Sequence, residues 1–174
     1  MPYTDLLRTT VFLAGAEATA LAAVTAYSAG GADDTTAFLV AAAWWLVALV
    51  LGLWLGRPAA AADGVRDALA RARTATSLPQ ETPARIAFVR LWPIGATAIA
   101  AGALGVVWPG VAAIAAGYAL LVALAMRTRE AAVLGIEQRD GVKFYVVPNS
   151  ALRPIQLVRT PGLRSDRLSR QTAS

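Results

Sequence analysis

The chain has 174 residues, of which 57% are hydrophobic and 16% are charged, and its formal net charge is +5. An average soluble domain is about 45–50% apolar with glycine included and about 25% charged, so this composition argues against a soluble globule. The chain has no cysteine and no histidine. This excludes disulfides, thiol nucleophiles, histidine-ligated metals and every Ser-His or Cys-His triad, and we expect no cofactor and no metal.

Four segments have the length of a membrane span, at about 10–29, 37–56, 88–107 and 109–126. About 20 helical residues cross a 30 Å hydrocarbon core. The uncharged stretch from Leu91 to Met126 is too long for one span, and a Trp-Pro-Gly sequence near its midpoint is typical of a helix break. A cleaved signal peptide has an apolar region of 7–15 residues, so we expect the longer first segment to be retained. The sequence therefore predicts an all-α integral membrane protein with a bundle of four transmembrane helices.

Basic residues are confined to one side of this predicted topology. All 16 Lys and Arg residues lie before the first span, between the second span and the start of the third at Arg90, or after the fourth. The loop between the first two spans carries only Asp33 and Asp34. Because cytoplasmic loops are enriched in Lys and Arg, we predict a multi-pass protein of the cell membrane with both termini in the cytoplasm. Abundant alanine and a single lysine further suggest a bacterial protein from a GC-rich genome.

The long loop between the second and third spans contains a predicted helix of its own. Residues 59–76 are rich in alanine, and their few bulky apolar residues fall on one helical face. Thr82 and Pro83 are typical of an N-cap followed by proline in the first turn, so the third helix should begin before the bilayer. Pro93 should then kink it.

After the fourth span the pattern changes from helical to alternating. Val142, Phe144 and Val146 alternate with polar or smaller residues and follow an Asp-Gly pair. An Asp-Gly pair between alternating apolar runs is the strongest short-range signal for a hairpin. We therefore predict a β-hairpin over about 133–147. Since an isolated hairpin is marginally stable in water, its apolar face should be covered by the alanine-rich helix, by the membrane surface or by a partner.

The pattern divides the chain into a transmembrane domain of residues 1–129 and a cytoplasmic unit of residues 130–174, which carries the hairpin and an extended basic tail. Basic residues near a membrane surface each add about 1 kcal/mol of attraction to anionic lipid. We expect this unit to dock on anionic lipid head groups or on a protein partner. The candidate docking residues are Phe144, Val146, Arg153, Arg159 and Arg164.

Glu17 is the one acidic residue within a predicted span. On a helical wheel Thr10 and Ser28 fall on the same side as Glu17, and Thr25 lies nearby, so the four residues form a polar stripe. A charged residue in a span is costly and faces the bundle interior, a cavity or a subunit interface. The stripe therefore either lines an ion or proton path or forms a hydrogen-bonded helix contact.

Trp44 and Trp45 lie deeper in the second span than the aromatic belt of a bilayer interface. Adjacent helical residues point about 100° apart, so we expect them to face different neighbours. One of them could line an apolar ligand site, and otherwise both pack in the bundle.

Two functional hypotheses follow. The first is a non-catalytic interaction or assembly subunit that docks through its cytoplasmic hairpin and basic tail. The second is a small oligomeric transporter or channel that uses Glu17. An enzyme is not expected because the ionisable groups are scattered along the chain, and nucleic acid is not expected as a partner because no aromatic residues accompany the basic ones.

Overall fold

The computed structural model describes residues 1–31, 35–70, 72–74, 82–147 and 155–161. In chain order, these residues form α1 (Tyr3–Gly31), α2 (Thr35–Leu55), α3 (Pro58–Ala70), β1 (Arg73–Thr74), α4 (Pro83–Val107), α5 (Pro109–Met126), α6 (Arg129–Asp140), β2 (Val142–Val146) and β3 (Leu157–Pro161). Four helices, α1, α2, α4 and α5, are long and apolar enough to cross a membrane. The prediction of four long apolar helices is confirmed, and α1 and α4 begin several residues before the predicted spans.

The break between α4 and α5 lies where the sequence places it. Trp108 has extended backbone angles of φ −127° and ψ 93°, and Pro109 is the first residue of α5. Proline fits the first helical turn because the amide hydrogen it lacks would have no partner there. The tight turn makes α4 and α5 antiparallel neighbours, and we call this end of the bundle the turn end.

Helix α5 is the centre of the bundle. It packs against α1, α2 and α4, and α1 also lies along α4. Small side chains let helices approach closely, as membrane helices do. All the buried residues of α5 are alanine or glycine, namely Ala112, Ala113, Ala116, Gly117, Ala119 and Ala123.

Helix α2 buries the same kind of side chain and exposes its large ones. Its buried residues are Ala41, Ala48 and Gly52, whereas most of its leucines and valines face outward. Its last turn is held by the Thr128 hydroxyl, which donates to the Gly56 carbonyl at 2.8 Å. The outer surface of the bundle is therefore apolar, as a lipid-facing surface would be.

A second compact region lies at the opposite end of the bundle from the turn end. We call it the subdomain, and it consists of α3, α6, the three strands and the first turns of α1 and α4. Its core contains large side chains, in contrast to the bundle. These buried residues are Tyr3, Leu6, Leu7, Val65, Leu69, Ile86, Leu91, Val133, Val142, Phe144, Val146 and Leu157.

The prediction of a β-hairpin over 133–147 is wrong in its first half. Residues Arg129–Asp140 form α6, and Gly141 caps it in the left-handed region with φ 64° and ψ 33°. A glycine with positive φ ends helices as readily as it makes hairpin turns, so the Asp-Gly pair fits both structures. The preceding Glu, Ala, Gln and Arg residues favour a helix, and this preference prevails.

The second half of the predicted hairpin is a strand, but its partner lies further along the chain. Strand β2 pairs antiparallel with β3, and β3 pairs parallel with β1, which gives the order β1-β3-β2. The free edge of β2 is met by the N-terminus, where the Val146 amide donates to the Met1 carbonyl at 3.0 Å. The predicted loop helix over 59–76 is shorter than expected, because it ends at Ala70 and β1 follows.

Candidate functional site

Glu17 joins two helices of the bundle. It lies in the middle of α1, and the Thr97 hydroxyl of α4 donates to its Oε1 at 3.2 Å. The same hydroxyl lies 2.8 Å from the Ile94 carbonyl of its own helix. A hydroxyl has one proton, so Thr97 satisfies both acceptors fully only if Glu17 brings a proton of its own. This arrangement therefore favours a protonated Glu17 carboxyl, or a bound molecule that donates a hydrogen bond to Glu17.

An apolar cleft of about 500 Å³ surrounds this pair. Its floor is α1, and its walls are α4 and α5. Apart from Glu17, Thr97 and Tyr118, the described residues that line it are hydrophobic. The lining residues are Ala14, Glu17, Ile94, Thr97, Val111, Ile114, Ala115, Tyr118, Ala119 and Val122.

The predicted polar stripe on α1 does not act as one hydrogen-bonded network. The Thr10 hydroxyl donates to the Leu6 carbonyl at 2.8 Å, Thr25 to Leu21 at 2.9 Å, and Ser28 to Val24 at 2.6 Å. Each of these hydroxyls is satisfied one turn back in its own helix, as Ser and Thr commonly are. Of the four stripe residues, Glu17 is therefore the one whose polar contact reaches another helix.

Trp44 and Trp45 of α2 both face α5, so the expectation that they face different neighbours is wrong. The Trp45 indole donates to the Ala113 carbonyl at 2.9 Å, and the Trp44 indole donates to the Ile114 carbonyl at 3.2 Å. Gly117 makes room for the Trp44 ring, because a Cβ there would overlap the indole. The indole rings are long enough to contact α5 although the two Cα–Cβ bonds point about 100° apart. The angle between these bonds therefore does not predict which helix each ring contacts.

Trp44 also lines a second cavity, of about 400 Å³, at the turn end of the bundle. This outer cavity lies between α1 and α2 against the first turns of α5. It includes Thr25 and Ala29 of α1, Thr36 of α2 and Ile114 of α5, which also lines the cleft. The ring of Trp44 meets that of Tyr118 edge to face, with centroids 5.4 Å apart.

The candidate docking residues differ in exposure. Phe144 and Val146 are 3% and 0% exposed and belong to the subdomain core, so they are not available for docking. The strand alternation was predicted correctly, but α6 and the first turns of α1 cover the apolar face. Arg159 is exposed on β3. Arg153 and Arg164 lie outside the described residues.

Two cationic side chains stand over aromatic rings close to the subdomain end of the bundle. The guanidinium of Arg8 lies 5.9 Å from the ring centre of Phe12, and that of Arg57 lies 5.2 Å from Trp54. Both rings are exposed. The arrangement places a positive charge beside an apolar anchor, as at a bilayer interface.

Thr97 and Tyr118 were missed by sequence reasoning. Thr97 is a lone hydroxyl in the third span, and only the packing of α1 beside α4 relates it to Glu17. In the part of the chain that the structure describes, no cluster of acidic residues is suited to hold a metal. Comparisons with protein-family models, with curated proteins and with solved structures find no match for the chain.

Proposed function

We propose that the chain is a multi-pass protein of the cell membrane whose subdomain and termini lie in the cytoplasm. The apolar outer surface of the bundle supports the membrane location. The one-sided distribution of Lys and Arg supports the orientation. Arg8 and Arg57, each over an exposed aromatic ring, support a cytoplasmic interface at this level.

Within this membrane protein, the cleft around Glu17 binds an amphiphilic molecule that carries an amine, and the protein acts as a small carrier or channel rather than as an enzyme. The observation that carries this proposal is a single carboxyl, hydrogen-bonded to Thr97, on the floor of a cleft whose lining is otherwise hydrophobic apart from Tyr118. A carboxylate in such surroundings needs a proton or a cation to neutralise it. An alkylammonium supplies the cation together with a chain that fits the apolar walls.

The test compares three ligands with the same chain and different head groups, namely decylamine, decanol and decanoic acid. Binding is measured by calorimetry on protein in lipid nanodiscs, with empty nanodiscs subtracted to remove partitioning into lipid. We expect the amine to bind most tightly. A charge-assisted hydrogen bond contributes about 1.5–3 kcal/mol, so Glu17→Gln should weaken amine binding by about 10- to 100-fold.

Glu130→Gln is the matched control, because Glu130 lies on α6 in the subdomain and outside the cleft. It should leave the affinity for all three ligands unchanged. Equal binding of amine and alcohol to the unmodified protein, or the same loss with either substitution, would refute the proposal.

A second candidate function is the docking of anionic lipid at the cytoplasmic interface, as an interaction or assembly subunit would do. Phe144 and Val146 are buried and cannot supply the apolar part of this contact. Arg8, Arg57 and exposed Arg159 can still supply positive charge to bind anionic head groups. Thermal stability should then be higher in anionic than in zwitterionic nanodiscs. That difference should shrink with added salt and with Arg8→Gln combined with Arg57→Gln.

A further inference from the structure

Tyr118 is the third polar residue that lines the cleft, and its hydroxyl differs from the other two polar groups. The Thr97 hydroxyl and the Glu17 carboxyl are hydrogen-bonded to each other. In the part of the chain that the structure describes, no group forms a hydrogen bond with the Tyr118 hydroxyl. The cleft therefore has one polar group that can bond a molecule lying within it without breaking an existing contact.

The position of Tyr118 along α5 makes an unbonded hydroxyl costly. Tyr118 lies about 12–14 Å from either end of the helix Pro109–Met126 and is 58% exposed. Tyrosines of membrane helices are enriched at the two interfaces, where the hydroxyl meets water. Near the middle of a span there is no water to bond it, and an unsatisfied polar group in hydrocarbon is unfavourable. A bound molecule with a polar group of its own would remove this cost.

The ring of Tyr118 is held in place by Trp44 of α2. The two rings meet edge to face, with centroids 5.4 Å apart. The Trp44 indole is fixed in turn by its hydrogen bond to the Ile114 carbonyl, and Gly117 leaves room for it. A side chain that is already ordered loses less conformational entropy when a ligand binds to it.

We propose that Tyr118 determines the specificity of the cleft and that the preferred ligand is an amphiphilic amino alcohol rather than a simple alkylamine. This inference rests on the proposed function, because Glu17 binds the ammonium group. The Tyr118 hydroxyl on the α5 wall then donates a hydrogen bond to the hydroxyl oxygen of the same molecule. Thr97 does not serve this purpose, because the Glu17 carboxyl and the Ile94 carbonyl already share its proton.

The lining also favours a neutral second group over a charged one. Glu17 is the one charged residue among the described residues that line the cleft. A second amine or a carboxylate on the ligand would therefore enter an apolar space without a counter-charge, which is costly. A hydroxyl needs only a hydrogen bond, and the neutral phenol of Tyr118 can supply one.

A matched series of ligands tests this assignment by calorimetry on protein in nanodiscs, with empty nanodiscs subtracted. The series consists of decylamine and of decylamines that carry a hydroxyl on carbon 2, 4 or 6, so that several spacings of the two polar groups are sampled. At least one hydroxylated amine should bind the unmodified protein more tightly than decylamine does. Tyr118→Phe keeps the ring and removes the hydroxyl, so it should weaken binding of that ligand by about 3- to 10-fold and leave the affinity for decylamine unchanged.

Tyr27→Phe is the matched control, because Tyr27 is 84% exposed on α1 and lines neither the cleft nor the outer cavity. It should leave the affinities for all four ligands unchanged. If no hydroxylated amine binds more tightly than decylamine, or if the gain persists in Tyr118→Phe, the specificity role of Tyr118 is overturned. The amine-binding function then still stands as long as Glu17→Gln weakens decylamine binding. A gain that Tyr118→Phe abolishes, together with amine binding that Glu17→Gln leaves unchanged, would support Tyr118 and contradict the amine-binding function.

Discussion

The cores of the bundle and of the subdomain differ in the size of their buried side chains. The subdomain buries Phe144, Ile86 and Val133, together with other large side chains. The bundle buries alanine and glycine along α5 and turns most of its large side chains outward. One chain thus follows two packing rules within a few helical turns.

The difference is the one expected if the bundle lies in lipid and the subdomain lies in water. In water, burial of large apolar side chains is the main force for folding. In lipid that force between helices is absent, because the acyl chains are as apolar as leucine, and close approach of small residues takes its place. The bundle has the core expected for lipid, and the subdomain has the core expected for water. Glu17 and its cleft lie in the part packed by small residues.

The largest expected effect compares the same substitution in the two regions. Phe144→Ala removes a buried ring from the subdomain and should cost about 3–5 kcal/mol. Phe38→Ala removes a ring that is 45% exposed on α2 of the bundle and should cost less. Hydrogen exchange of the α6 and β2 amides in nanodiscs measures the loss of stability in each of the two variants. Similar losses of protection in the two variants would break the contrast between the two cores.

A smaller effect tests close approach in the bundle. Gly56 ends α2 against the backbone of α5, and an added Cβ would overlap the Leu124 carbonyl. Gly56→Ala should therefore separate α2 from α5 and cost about 1–3 kcal/mol. Gly95→Ala meets open space and serves as the control. Unfolding in mixed micelles should distinguish the two variants, and equal stability would mean that close packing does not hold α2 in place.

The smallest effect concerns the link between α6 and β2 in the subdomain. Gly141 has φ 64°, so Gly141→Ala should cost about 1–2 kcal/mol, and Gly141→Asn should cost less. Asp140 is helical, so Asp140→Ala should change thermal stability little. In a two-residue hairpin turn both positions would need positive φ. Comparable destabilisation by Asp140→Ala and Gly141→Ala would therefore favour the hairpin over the helix cap.

Strong local signals made much of this fold predictable. Four apolar runs, the Trp-Pro-Gly break before α5 and the proline at the start of α4 each depend on neighbouring residues alone. The alternation of Val142, Phe144 and Val146 likewise gave β2 correctly. The Asp-Gly pair did not decide between a hairpin and a helix cap, because both need the same backbone angles at glycine.

The sequence by itself also singled out Glu17, because a lone acid in an apolar run is costly wherever the helix packs. Only the tertiary structure decided what surrounds it. Thr97 is 80 residues away along the chain, and the parallel packing of α1 and α4 brings the two side chains together. The pairing of β2 with β3 and the burial of Phe144 likewise depend on long-range contacts. A local pattern shows which face of a helix or strand will be buried. Which element packs against that face depends on contacts across the whole chain.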